Sequence, residues 1–135
     1  MNLKKFSTLT LCIILAQSPL AATAFTHAPA HSTTSGLNYR IIQDSHGNKP
    51  TLNDEVEIRF TSYNSKGEVL EGTLNGVPVI LPVSEMFTGL KESLLLMPAG
   101  ATYEFDIPAH LGYQEEGKSG RQAAKYRIEL LRINP

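Results

Sequence analysis

The sequence predicts an α+β domain, an antiparallel sheet closing around a single helix. Three observations carry this. Apolar and polar residues alternate with the two-residue period of half-buried strands over residues 56–61, 101–107 and 125–130. One run, Phe87, Leu90, Leu94 and Met97, has the three- and four-residue spacing of a helical face. Turn formers separate these runs, and the order strands, helix, strands suits one sheet packed on one helix.

The first 24 residues are of a different character. Lys4 and Lys5 precede a mostly apolar run over residues 6–15. Gln17, Ser18 and Pro19 break it, and Ala22, Thr23 and Ala24 offer small residues to a peptidase. This is the three-part layout of a secretory signal, and the run falls short of the ~20 residues of a membrane-spanning helix. Residues 1–24 are read as a signal peptide cleaved after Ala24, with Phe25 first in the exported chain. A periplasmic location is expected, with further secretion left open. The single cysteine, Cys12, lies inside the apolar run behind Leu11, which does not fit a lipoprotein signal, so no membrane anchor is expected. The exported chain would hold no cysteine, and its stability must come from packing rather than disulfides.

Residues 25–36 lack apolar periodicity and are read as a flexible leader. His27 and His31 lie in it, too few for a metal site, and no metal or cofactor is expected. The domain is placed at residues 37–135. A strand is predicted over 37–42, followed by turn formers over 44–50. Val56, Ile58 and Phe60 point inward from the next strand. Asn64, Ser65, Lys66 and Gly67 make a turn, Val69 and Leu70 resume extended chain, and Asn75-Gly76 is a second turn signal. Val79, Ile80 and Leu81, bounded by Pro78 and Pro82, suit a sheet edge. Thr88 is placed to cap the helix, and Pro98 with Gly100 ends it. Ala101, Tyr103, Phe105 and Ile107 then face inward, as do Tyr126, Ile128 and Leu130 in the last strand. Leu131 and Ile133 break that alternation, which predicts a β-bulge.

Composition narrows the function. The chain has 135 residues and a net charge of −1; loss of Lys4 and Lys5 with the signal would leave ten basic and 13 acidic residues, a net charge of −3. One domain fits this length, and the absence of a basic stripe argues against a nucleic-acid partner. Asp106 and His110 are four apart, but no serine or cysteine nucleophile is partnered with them. No G-x-S-x-G is present, no paired carboxylates have a recognisable catalytic setting, and no glycine-rich phosphate loop follows a strand. Glu115, Glu116 and Lys118 read as a solvated loop.

Leu94-Leu95-Leu96-Met97-Pro98-Ala99-Gly100 is followed at fixed spacing by Glu104-Phe105-Asp106-Ile107-Pro108 and by Leu111-Gly112-Tyr113. Ser35-Gly36-Leu37-Asn38-Tyr39-Arg40 opens the domain and Ile128-Glu129-Leu130-Leu131 closes it. In this order and spacing the segments resemble the FKBP-type peptidyl-prolyl isomerases of the bacterial macrophage-infectivity-potentiator kind, whose L-x-L-M-P-x-G stretch they contain. The resemblance implies a curved antiparallel sheet wrapped around one short helix, with a proline-binding pocket between them. The helical dimerisation arm of many potentiator-type members is absent, so a monomer is expected. Proline-containing polypeptide clients are the implied partners.

Transferred position by position, the resemblance implies Tyr113, Phe87 and Glu71 as the catalytic set and Phe60, Leu70, Met86, Leu90 and Tyr126 as the substrate-binding walls. Leu90 stands where the family carries a tryptophan floor, and Phe60 where it carries a tyrosine. Leu70 and Glu71 replace Phe-Asp, Met86 and Phe87 replace Val-Ile, and Tyr126 replaces a phenylalanine. Gln114 follows Tyr113 in place of glycine, and the loop to Ala124 lacks the family's Ile-Pro-Pro segment. Such residues suit rotation about an Xaa-Pro bond, which requires no nucleophile. An apolar pocket disfavours the charge-separated planar amide, and one or two donors hold the twisted state. The expected activity is therefore prolyl isomerisation on exported proteins. The alternative is a weakly active or inactive relative that binds apolar segments, and a third reading is a structural subunit of an envelope complex.

Overall fold

The computed structural model describes residues 28–135, so the signal-peptide reading lies outside the described residues. In chain order the strands are β1 (Ala30–Ser32), β2 (Asn38–Gln43), β3 (Glu55–Tyr63), β4 (Val69–Gly72), β5 (Val79–Pro82), β6 (Thr102–Ile107), β7 (Tyr113–Gln114), β8 (Arg121–Gln122) and β9 (Ala124–Ile133). The helix α1 spans Thr88–Leu96, between β5 and β6. Seven strands form one sheet in the order β1-β2-β6-β9-β3-β4, with β5 also paired to β3, and every pairing is antiparallel. The first half of β3 pairs with β5 and the second half with β4, so the two share one edge. β7 and β8 form a separate hairpin.

The alternation read from sequence decides which face is buried. Val56, Ile58, Ile107, Ile128 and Leu130 are at most 1% exposed and, with Tyr103 and Phe105, form the sheet side of the core. Leu90, Leu94 and Met97 bring α1 onto it. Buried Ser93 is satisfied within the helix, its hydroxyl donating to the Gly89 carbonyl at 2.7 Å. The other face carries cross-strand ion pairs, Arg59–Glu129 at 3.1 Å, Arg127–Glu104 at 2.9 Å and Arg132–Glu57 at 2.7 Å. Exposed pairs of this kind add little stability each; they keep the outer face solvated. The predicted bulge is at Leu131, because Glu57 pairs with Arg132 while Ile58 pairs with Leu130.

Two expectations are corrected. Residues 25–36 were read as a leader without structure, yet Ala30–Ser32 adds a strand to the sheet edge, with His31 opposite Tyr39. The His31 ring lies 5.1 Å from that of Tyr39 and stacked on it, and Ser35 donates to Glu92 of α1 at 2.6 Å. Backbone pairing and one ring contact suffice here without apolar periodicity. Thr88 is the first residue of α1 rather than its cap. Phe87 holds the cap position in extended conformation, with no side-chain acceptor for the helix N–H groups.

Candidate active site

Four rings from four separate elements meet between α1 and the sheet. Phe60 of β3 lies 5.9 Å from Tyr126 of β9, at 30°. Tyr126 lies 6.1 Å from Phe87, just before α1, at 50°. Phe87 in turn lies 5.9 Å from Tyr113 of β7, at 56°. These offset and tilted contacts are favourable aromatic geometries. The rings line a cleft of about 1010 Å³, and Leu90, 6% exposed, lines it from α1. Met86, Leu70 and Glu71 complete the set, so all eight residues named from the sequence surround one cavity.

Local structure explains each placement. On β3 the alternation puts Ile58, Phe60 and Ser62 on the cleft side together. Ser62 pairs with Tyr126 across to β9, which sets Tyr126 beside Phe60. On β4 adjacent residues cannot normally share a face. Ser62 pairs with Glu71 and Tyr63 with Val69, leaving Leu70 in a bulge, and Leu70 and Glu71 both line the cleft. Gly89 lets α1 approach the sheet: a Cβ there would lie 2.7 Å from the Leu111 carbonyl oxygen and closer still to the Ile107 side chain. At Gly112 a Cβ would run into the Gln122 carbonyl, and this close approach of β7 to β8 positions Tyr113.

The cleft is apolar with a thin polar rim. Its charged lining residues are Glu71 and Glu85, both acidic. The Tyr126 hydroxyl is pushed up to about 12, first by burial and then by the Glu71 carboxylate and Tyr113, against a smaller opposing effect of the Ser62 hydroxyl. Tyr126 is therefore a neutral wall with a polar tip at physiological pH. Since the folded value is raised, its contribution to stability is complete below about pH 10 and lost as pH rises toward 12. In denaturant titrations at pH 9 and pH 11, the stability of the wild type relative to Tyr126→Phe should fall at the higher pH; a constant difference would contradict the burial of this hydroxyl.

Ile58, Ser62, Leu74, Val77, Val79 and Leu81 also line the cleft and were not named as site residues from the sequence. Alternation along β3 was the signal for Ile58 and Ser62, and the spacing of Val79 and Leu81 was the signal for β5. Leu74 and Val77 carried no periodic signal, because Leu74 opens a turn of three residues, Leu74–Gly76, and Val77 follows it. No group of His, Cys, Asp and Glu among the described residues could hold a metal ion.

The family model for FKBP-type peptidyl-prolyl cis-trans isomerase matches residues 46–131, which include the helix and the eight cleft residues named from the sequence. The chain belongs to the FKBP-type peptidyl-prolyl isomerase family. It is 33% identical over 108 residues to the FKBP-type 22 kDa peptidyl-prolyl cis-trans isomerase of Escherichia coli (strain K12), covering 76% of this chain and 52% of that protein. It is 39% identical over 104 residues to the outer membrane protein MIP of Legionella longbeachae, covering 73% of this chain and 45% of that one. The chain thus spans about half the length of these curated relatives. Among solved structures, that of FkpA from Escherichia coli superposes with a TM-score of 0.70 at 22% identity, covering 78% of this chain and 52% of that one. This likeness establishes the FKBP fold, a sheet packed on one short helix. No helix among the described residues is long and apolar enough to cross a membrane.

Proposed function

We propose that the protein is a peptidyl-prolyl cis-trans isomerase acting on Xaa-Pro bonds of exported polypeptides and assisting their folding, without metal or cofactor. The observation that carries this is the continuous aromatic wall Phe60–Tyr126–Phe87–Tyr113 around the Leu90 side chain, in a member of the isomerase family. The rotation barrier of about 18–20 kcal/mol comes from C–N double-bond character. The planar amide owes part of its stability to charge separation, which water favours and an apolar wall does not. Phe60, Tyr126 and Leu90 receive the proline ring, and Met86 and Leu70 flank it. Phe87 holds the cap position of α1, ahead of the first helical turn, so its N–H has no intrahelical carbonyl to meet and in this reading donates to a client carbonyl. The Tyr113 hydroxyl donates to a second carbonyl. Glu71 shapes the rim by its charge and adds to the burial that keeps the Tyr126 hydroxyl protonated. Binding that strengthens as the amide twists is what accelerates the rotation.

The reading is tested by following isomerisation of Xaa-Pro peptides with varied Xaa. Acceleration proportional to protein concentration is expected for at least the apolar Xaa; the uncatalysed rate for every Xaa would refute it. Tyr113→Phe is expected to lower kcat/KM by roughly fivefold, the worth of about one hydrogen bond, with KM little changed. A second reading, a client-binding module with little catalysis, is favoured by Leu90 standing at the tryptophan position of the family.

Export is part of the proposal. Intact mass of the protein from the cell envelope is expected to match a monomeric chain beginning at Phe25. A mass that retains Cys12 or carries a diacylglycerol would overturn it.

A further inference from the structure

The cleft is larger than a proline ring requires. Its ≈1010 Å³ stands at the top of the range for small-molecule sites, roughly 300–1,000 Å³. Along one side run Leu70, 48% exposed, Leu74, 81%, and Val77, 64%. Single exposed apolar residues need no explanation, but these three line the same cavity as the aromatic wall.

The lip is held in place rather than loose. Its turn, Leu74–Gly76, has Asn75 and Gly76 at positive φ, 53° and 73°. The Val77 N–H donates to the Leu74 carbonyl at 2.9 Å, the Thr73 N–H to the Phe60 carbonyl at 3.0 Å, and the Arg59 side chain to the Gly76 carbonyl at 2.5 Å. Two of these bonds tie the turn to β3, the strand that carries Phe60. An apolar surface fixed against the proline walls loses little entropy when covered.

We propose that Leu70, Leu74 and Val77 form a second subsite, which takes an apolar side chain of the same client segment whose proline sits against Phe60, Tyr126 and Leu90. The occupant follows from continuity, since lip and wall bound one cavity. It also follows from charge. Glu71 and Glu85 line the same cavity and no lysine or arginine does, so the client segment is apolar with a neutral or basic flank. The selected substrates are then Xaa-Pro segments with a large aliphatic or aromatic residue outside the Xaa-Pro pair, and acidic flanks are disfavoured. This rests on the cleft being the Xaa-Pro site.

The test is a set of Xaa-Pro peptides in a Ser/Gly background, with one Leu moved through the positions on either side of the Xaa-Pro pair. Both kcat/KM and the Kd of the fluorescently labelled peptides are measured for wild type, Leu74→Ser, and the Leu74→Ser/Val77→Ser pair. Both sites are well exposed, and melting curves verify folding; the single variant serves if the pair folds poorly. Leu at one flank is expected to improve wild-type kcat/KM and Kd by about fivefold over the Leu-free peptide, and the pair is expected to reduce that ratio to below about twofold. An undiminished ratio in the folded variants, or no flank preference in a wild type that catalyses, would overturn the subsite while leaving the isomerase reading intact. No acceleration on any peptide, together with a Kd preference that the pair removes, would sink the isomerase reading and support the subsite. A concentration-dependent dimer abolished by the pair, with peptide preference unchanged, would give the lip to a second copy of the chain and overturn the inference.

Discussion

Leu90→Trp is expected to raise kcat/KM on Xaa-Pro peptides by about tenfold. A leucine offers the proline ring a small, mobile surface. An indole in its place would add on the order of 50 Å² of apolar contact, which at ~25 cal/mol per Å² is ~1.3 kcal/mol, close to a factor of ten. Leu90 is 6% exposed and belongs to the core as well as to the cleft. The open cavity beside it gives the larger ring somewhere to go, which keeps overpacking in check. Where the contact forms equally with the planar and twisted amide, the gain appears as a lower KM. Where it favours the twisted one, kcat rises as well. Steady-state kinetics on a variant with a wild-type melting profile decide the matter, and an unchanged or lower kcat/KM would make Leu90 a core residue rather than a floor.

Gly89→Ala should destabilise the fold by about 2 kcal/mol, although helix propensity alone argues for a gain of about 1 kcal/mol. The two effects have opposite signs, so the measurement separates them. Added at this position, a Cβ would lie 2.7 Å from the Leu111 backbone oxygen and closer to Ile107, both of which are buried. Neither the short turn at Ala109–Leu111 nor the centre of the core gives way readily. The cost is a displacement of the α1 N-terminus, which carries Phe87 and Leu90, so kcat/KM should fall along with the denaturation midpoint. A variant more stable than wild type would contradict the close approach of α1 to Ile107 and Leu111 at Gly89.

Strands whose buried and solvated faces alternate were legible in the sequence, because burial on one side imposes a two-residue period on β3, β6 and β9. The helix was legible through Leu90, Leu94 and Met97. Even the bulge at Leu131 showed, since an extra residue must break the period. The short edge strand Ala30–Ser32 was not, because its residues bury no face and join the sheet mainly through backbone pairing, with the His31 ring stacked on Tyr39. The helix cap at Phe87 was missed for a related reason: packing against Tyr113 and Tyr126, not cap chemistry, fixes that residue. The cleft itself could not be read from periodicity. Phe60, Phe87, Tyr113 and Tyr126 come from four elements, and only the resemblance brought them together in advance. Leu74 and Val77 escaped both signals, being exposed, aperiodic and at the two ends of a turn. Leu70 and Glu71 share the cleft through a bulge that neither composition nor spacing announces.

The central claim is that the aromatic cleft twists a bound Xaa-Pro amide. Exchange spectroscopy of a Leu-Pro peptide with substoichiometric protein measures this directly, because cis and trans resonances exchange slowly without a catalyst. A cis–trans exchange rate that rises in proportion to protein concentration, and falls back when Phe60 and Tyr126 are both replaced by leucine in a folded variant, is the expected result. Peptide resonances that shift and broaden with added protein while the exchange rate stays at its uncatalysed value would contradict it, leaving a cleft that binds proline segments without turning them.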